Sequence, residues 1–167
     1  MKTPLLRLVA LFSFAVVSAI SPAQAEEKNG LQVSVQKTTL DRSDQREGAY
    51  YDRIDRTQGL KVTIKNVSFK PMPEGEVEWT ILVRKYYSST VEKHEGKEKL
   101  KPLKVGESVQ LVIGSAQIQG WRDLSGTSKD KIEHEVIVKQ NGVETMRMAS
   151  MSGFEALRKR AIKASSR

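Results

Sequence analysis

The side chains able to do acid–base or metal chemistry are few in kind. The chain holds two histidines, His94 and His134, and no cysteine. The missing thiol excludes thiol catalysis, iron–sulfur ligation, Cys-type zinc sites and disulfide bonds. His94 lies in the charged run Glu92-Lys93-His94-Glu95-Gly96-Lys97, and His134 follows forty positions later between Glu133 and Glu135. Glu133-His134-Glu135 has the residue types of a metal site, but strand periodicity turns both glutamates to the face opposite His134. His134 therefore reads as a core or boundary residue. Asp41, Asp44 and Glu47 offer the oxygens of a calcium loop, yet the glycine and terminal glutamate are not at the required spacing. Arg42 and Arg46 sit among these acids, so a charge-paired loop is expected. No G-x-S-x-G, G-x-G-x-x-G or P-loop is present, and no cofactor is implied. The sequon Asn66-Val67-Ser68 matters only in a eukaryotic secretory pathway. Twenty acidic residues leave one enzymatic route open, a carboxylate pair brought together by the fold.

For binding, the segment from Gly114 to Asp130 stands out. It separates two expected strands by 17 residues, more than an ordinary hairpin loop, and long loops are often functional. Within it, Gln119, Trp121, Arg122 and Asp123 form the candidate binding set. Trp and Arg are enriched in binding hot spots, and an indole ring stacks on sugars or anchors in protein pockets. The competing reading is that Ile118, Trp121 and Leu124 cap the open end of the core.

The elements that must position these residues are strands. Leu31-Val33-Val35, Leu60-Val62-Ile64, Val77-Trp79-Ile81-Val83, Val109-Leu111-Ile113 and Ile132-His134-Val136-Val138 each alternate with polar residues, the period of a half-buried strand. Val143 to Met148 makes a sixth, and Tyr50 to Ile54 a seventh. Lys70-Pro71-Met72-Pro73 and Lys101-Pro102-Leu103-Lys104 are connections. About seven short strands, each with one apolar face, predict a mainly β fold: an immunoglobulin-like antiparallel β-sandwich, with a small barrel as the alternative. Trp79 suits the centre of its core. The hairpin at Gln140-Asn141-Gly142 is expected to use a three-residue loop, because a two-residue loop would set Val136 against Arg147 and mix the faces.

A C-terminal α-helix is expected from Gly153 to Ala164. Ser152-Gly153-Phe154-Glu155 fits the S-x-x-E capping box. Phe154, Leu157, Ala161 and Ile162 form one face, and Arg158, Lys159, Arg160 and Lys163 suit the negative end of the helix dipole. The division is residues 1–25 as a signal peptide, 26–152 as the sandwich, and 153–167 as a helix and tail packed on it.

The signal peptide rests on Lys2 and Arg7, the apolar stretch Leu8 to Ile20, the helix-breaking Pro22, and Ala23-Gln24-Ala25 before Glu26. The apolar run is too short to span a bilayer, so no stable membrane insertion is expected of the mature chain. Its Ala-rich exit followed by Glu26 and Glu27 resembles bacterial signal peptides. The precursor has 28 basic and 20 acidic residues and a net charge of +8. Interleaved signs, as in Asp52-Arg53 and Lys97-Glu98-Lys99, argue for a solvated surface and against nucleic-acid binding.

Leu60 to Pro73, followed by Glu76-Val-Glu-Trp-Thr-Ile-Leu-Val83, resembles the strand-turn-strand pattern of exported bacterial immunoglobulin-like domains, in which a paired strand ends at Asn-x-Ser. That resemblance implies a cell-envelope protein, including the kind associated with pili. The functional expectation is an exported, non-enzymatic interaction or structural domain of the periplasm, cell surface or extracellular space. It would bind protein, glycan or its own copies. The alternative is a hydrolase acting on an envelope or extracellular polymer through a carboxylate pair.

Overall fold

A computed structural model describes residues 24–48 and 50–163. Residues 1–23, with most of the segment read as a signal peptide, lie outside the described residues, as does 164–167. In chain order the elements are β1 (Gln24–Lys28), β2 (Leu31–Arg42), β3 (Gln45–Arg46), β4 (Asp52–Asn66), β5 (Gly75–Arg84), β6 (Val91–Leu100), β7 (Ser108–Asp123), β8 (Gly126–Lys129), β9 (Lys131–Gln140), β10 (Val143–Ala149), α1 (Phe154–Arg160) and β11 (Ile162–Lys163). The chain is mainly β with one short C-terminal helix, as the periodicity predicted.

Two sheets form. One runs β1-β2-β4-β7-β8, with β3 beside β4, and the other runs β10-β9-β5-β6-β11. Pairing is antiparallel except for β11, which lies parallel to β6 over Glu92 and Lys93. The alternating apolar residues meet between the sheets: Val33, Val35, Val62, Ile64 and Ile113 from the first, Val77, Ile81, Val83, Val136, Val138, Met146 and Met148 from the second. Each such side chain contributes about 1.5–3 kcal/mol by leaving water. His134 shares the inward face and is 5% exposed, while Glu133 and Glu135 are bonded to Arg84, Ser150, Arg147 and Arg158, as expected from strand parity.

Several expectations need correction. The charged run Glu92–Lys97, to which the sequence pattern assigned no element, lies within the strand β6. Its period-two signal is silent because the inward positions include Glu92, His94 and Gly96 instead of large apolar residues. Gly96 is required there: a Cβ at that position would sit 2.5 Å from Cζ2 of Trp79, whose ring packs against the core. The segment 114–130 is not a loop either. β7 continues to Asp123, bulging where its partner β4 passes Gln58 to Leu60, and β8 returns after a short turn. The seventh expected strand, Tyr50 to Ile54, is the beginning of the long β4.

The β9–β10 hairpin shows a conflict between turn chemistry and core pattern. Gln140 pairs with Val143, so the loop has two residues, not three. Asn141 and Gly142 take φ of 49° and 76°, the doubly left-handed turn that an Asn-Gly pair favours. Left alone, that turn would mix the faces. A register shift between Glu144 and Met146 corrects it, placing Met146 against Val138 and Met148 against Val136. The apolar face is kept by a bulge instead of a longer loop.

The helix is shorter than expected. It ends at Arg160, and the chain then turns extended into β11. Phe154, Leu157 and Ala161 pack on Leu82 and Val91 of the second sheet's outer face, forming a small second core. The capping box does not form: Gly153 occupies the N-cap and no side chain caps it. Glu155 instead lies 3.8 Å from Arg147 and 3.4 Å from Arg158. The dipole pattern holds, with Glu155 in the first turn and Arg158, Lys159 and Arg160 in the last.

Candidate functional site

At one end of the fold, where β5 passes into β6, a groove of about 640 Å³ opens between three parts of the chain. One wall is the turn Lys85–Thr90, which contributes Tyr86, Ser88, Ser89 and Thr90. The opposite wall is β8 with the start of β9, contributing Thr127, Ser128, Lys129 and Lys131. The end of α1 brings Leu157 and Arg160. Every charged side chain in the lining is a cation: Arg84, Lys85, Lys129, Lys131 and Arg160.

A buried charge network holds this groove in shape. The Asp130 carboxylate, wholly shielded from solvent, accepts hydrogen bonds from the backbone N–H of Tyr86 at 3.1 Å and of Gln119 at 3.1 Å. Lys85, its side chain 9% exposed, places Nζ 3.2 Å from Asp130 and 3.1 Å from Glu92. Burial pulls the Lys85 ammonium down, but the two carboxylates more than offset it and hold its pKa above the ordinary lysine value. One aspartate thus ties the Lys85–Thr90 turn to β7 and to the start of β9. Lys85 N–H also donates to the Thr90 carbonyl at 3.1 Å, closing the turn.

The other cations of the lining differ in their pairing. Arg84 contacts Glu133 at 3.1 Å. Among the described residues, Lys129, Lys131 and Arg160 have no carboxylate partner, and all three are exposed. The outer face of the second sheet behaves oppositely. There Lys97 and Lys139 share Glu78, Arg147 and Arg158 share the buried Glu135, and Lys93 meets Glu95. A smaller depression of about 280 Å³ lies on that face, lined by Glu78, Glu95 and Glu135. It gathers three carboxylates, but each is neutralised by a neighbour. The Lys139 and Lys97 ammonium groups hold the Glu78 carboxyl down at about 2.

The residues singled out in the sequence are near this groove but not in it. β7 carries Trp121 opposite Ser128 and Arg122 opposite Thr127, so these residues lie beside the strand that forms the groove wall. Successive strand residues face opposite sides, so Trp121 and Arg122 do not point together. Trp121 is 37% exposed while Ile118 is buried and Leu124 lies in solvent, so the three do not form a common cap. Asp123 accepts from Ser125 N, Ser125 Oγ and Gly126 N, and those bonds lower its pKa. It shapes the turn into β8. Gln119 contributes its backbone N–H to Asp130. The groove's own cations were missed because they come from three separate stretches of sequence. The one local sign was the hydroxyl run Ser88-Ser89-Thr90 beside Tyr86-Tyr87.

Three further sequence readings find their place. Asp44 is paired with both Arg42 and Arg56, and the bond from Arg56, foremost, holds its carboxyl at about 2. The expected charge pairing holds for Asp44 with Arg42, but the second arginine comes from β4, and Glu47 meets Arg53 of the same strand, not Arg46. Asn66 is 1% exposed, with its amide donating to the carbonyls of Lys70 at 2.8 Å and Leu103 at 3.2 Å, so the sequon nitrogen is occupied inside the fold. The loop that Asn66 braces holds Phe69 almost entirely in solvent, at 99% exposure.

No protein-family model matches this chain, and no curated protein matches it. Solved structures offer distant likenesses. A β-glucuronidase of Bacteroides uniformis superposes with a TM-score of 0.40 at 11% identity, covering 69% of this chain and 12% of that one. A β-glucuronidase 2 of the same organism, covalently bound to cyclophellitol-6-carboxylate aziridine, gives 0.37 at 11% identity, again over 69% of this chain and 12% of that one. A protein from Akkermansia muciniphila gives 0.36 at 13% identity, over 84% of both chains. This chain thus spans about an eighth of the length of the glucuronidases, 12%.

Proposed function

We propose that the protein is an exported, immunoglobulin-like interaction module of the periplasm or cell surface, which takes an anionic ligand into the end groove and works by binding. The observation that carries this reading is the groove's lining, five cations and no carboxylate, with Lys129, Lys131 and Arg160 left unpaired among the described residues. Cations without counter-charges on converging walls focus the local field and attract an anion.

The strand order supports the immunoglobulin-like part. The seven long strands pair as β2-β4-β7 and as β10-β9-β5-β6, three opposite four. Lettered in chain order, they follow the immunoglobulin-type division of A-B-E against G-F-C with a C′ strand added. The carboxylates gathered in the depression on the outer face, Glu78, Glu95 and Glu135, are each paired with a cation, which gives the hydrolase reading no free carboxylate pair there.

The test is equilibrium binding of dextran sulfate at about 0.05 M and about 0.5 M salt, a range over which screening shortens several-fold. Wild type should bind at the lower salt and release at the higher. Lys129→Ala/Lys131→Ala/Arg160→Ala, all exposed positions, should fold normally and bind weakly. Equal binding by this variant would remove the groove as the site.

A further inference from the structure

We propose that the groove's ligand is an acidic polysaccharide, a hydroxyl-rich chain bearing carboxylate or sulfate groups. This rests on the reading of the groove as an anion site and narrows it to one class.

Three features separate a polysaccharide from an acidic peptide or a free anion. First, the cations stand on different parts of the rim, Lys129 and Lys131 on the β8–β9 side and Arg160 at the end of α1. That spread suits charges repeated along a chain better than one compact anion, which needs its donors converging on a point. Second, hydroxyls come from both walls, Ser88, Ser89 and Thr90 on one and Thr127 and Ser128 on the other. Each both donates and accepts and rotates to suit, which matches the dual character of sugar hydroxyls. Third, the aliphatic residues of the lining, Val91 and Leu157, are packed into the small core beneath α1 with Phe154 and Leu82, which leaves little there for a peptide side chain to anchor in.

Tyr86 supplies the remaining element. Its backbone N–H is fixed by buried Asp130, it lines the groove and is partly exposed, and its ring stands nearly perpendicular to that of Tyr87 at 5.1 Å between centroids. A partly exposed tyrosine ring can stack on the C–H side of a pyranose while the phenol stays wet. The groove thereby offers stacking, bidirectional hydrogen bonding and spaced positive charge together.

The test uses the protein as its host matures it, titrated by calorimetry with four polymers: polygalacturonate, dextran sulfate, neutral dextran and polyglutamate. At least one acidic polysaccharide should bind about tenfold or more tighter than polyglutamate of equal charge, with neutral dextran weaker still. Preference between polygalacturonate and dextran sulfate identifies the acidic group. Tyr86→Ala, an exposed position, should weaken polysaccharide binding about fivefold and leave polyglutamate unchanged. Polyglutamate binding as tightly, or a Tyr86→Ala variant that keeps full polysaccharide affinity, overturns the polysaccharide while leaving an anion groove. If no polyanion binds, or the triple cation variant binds as wild type, the anion groove fails with it.

Discussion

Asp130→Ala should be among the most damaging single substitutions in this protein. The carboxylate is fully buried and accepts from Tyr86 N, Gln119 N and Lys85 Nζ at 3.1, 3.1 and 3.2 Å. Its removal leaves two backbone N–H groups without that acceptor, at about 1–3 kcal/mol each. It also strips one of two carboxylates from the ammonium of Lys85, whose side chain is 9% exposed, and breaking a buried pair costs about 3–5 kcal/mol. These losses overlap, since Glu92 still reaches Lys85 at 3.1 Å, so the expected total is about 3–5 kcal/mol. For a domain of this size that lowers Tm by roughly 6–20 °C. The assay is urea unfolding followed by circular dichroism, with an unchanged m-value as the control. Lys85→Met provides the second arm. In that background the cost of Asp130→Ala should shrink by about 1–3 kcal/mol, because no cation is left stranded. Destabilisation below about 1 kcal/mol, or strict additivity of the two substitutions, would refute the network as described.

Burial, aided by Lys37, pushes the His134 imidazole down to about 4, so the folded state holds it neutral while the unfolded chain titrates at the ordinary value near 6.5. Its stabilising contribution is complete above about pH 6.5 and is lost as pH falls toward 4, at up to about 1.4 kcal/mol per pH unit. His134→Leu should flatten that slope in urea midpoints measured across this window. Asn66→Ala, which removes two donated and two accepted hydrogen bonds of a buried side chain, should cost about 2–4 kcal/mol, whereas Phe69→Ser should stay within about 0.5 kcal/mol. Parallel thermal melts decide it, and the reverse ranking would mean the loop is braced by something other than Asn66. Trp121→Ala should leave stability within about 1 kcal/mol, because the ring lies on the exposed side of β7. A loss of about 3–5 kcal/mol in urea would place the ring in the core instead. Mass spectrometry of exported protein should find Glu26 at the N-terminus, and retention of residues 1–25 would overturn the export reading.

The period-two apolar pattern determined by itself that the chain builds strands and which faces turn inward, and the helical spacing of Phe154, Leu157 and Ala161 that a short basic-ended helix follows them. Those properties are local: they depend on whether neighbouring side chains prefer water, and each strand carries its own record of that preference. His134 was legible as a core residue for the same reason, since parity alone separates it from Glu133 and Glu135. Tertiary structure decided what depends on two surfaces meeting. Val91–Leu100 became a strand because Gly96 leaves room for an indole from the neighbouring strand, a vacancy with no pattern in sequence. The Asn141-Gly142 turn followed its local preference, and the core imposed a bulge at Thr145 to restore the faces. The groove lay beyond the sequence for the most general reason. Tyr86, Lys129 and Arg160 are far apart along the chain, and only the hydrogen bonds of Asp130 and the docking of α1 bring their side chains to one opening.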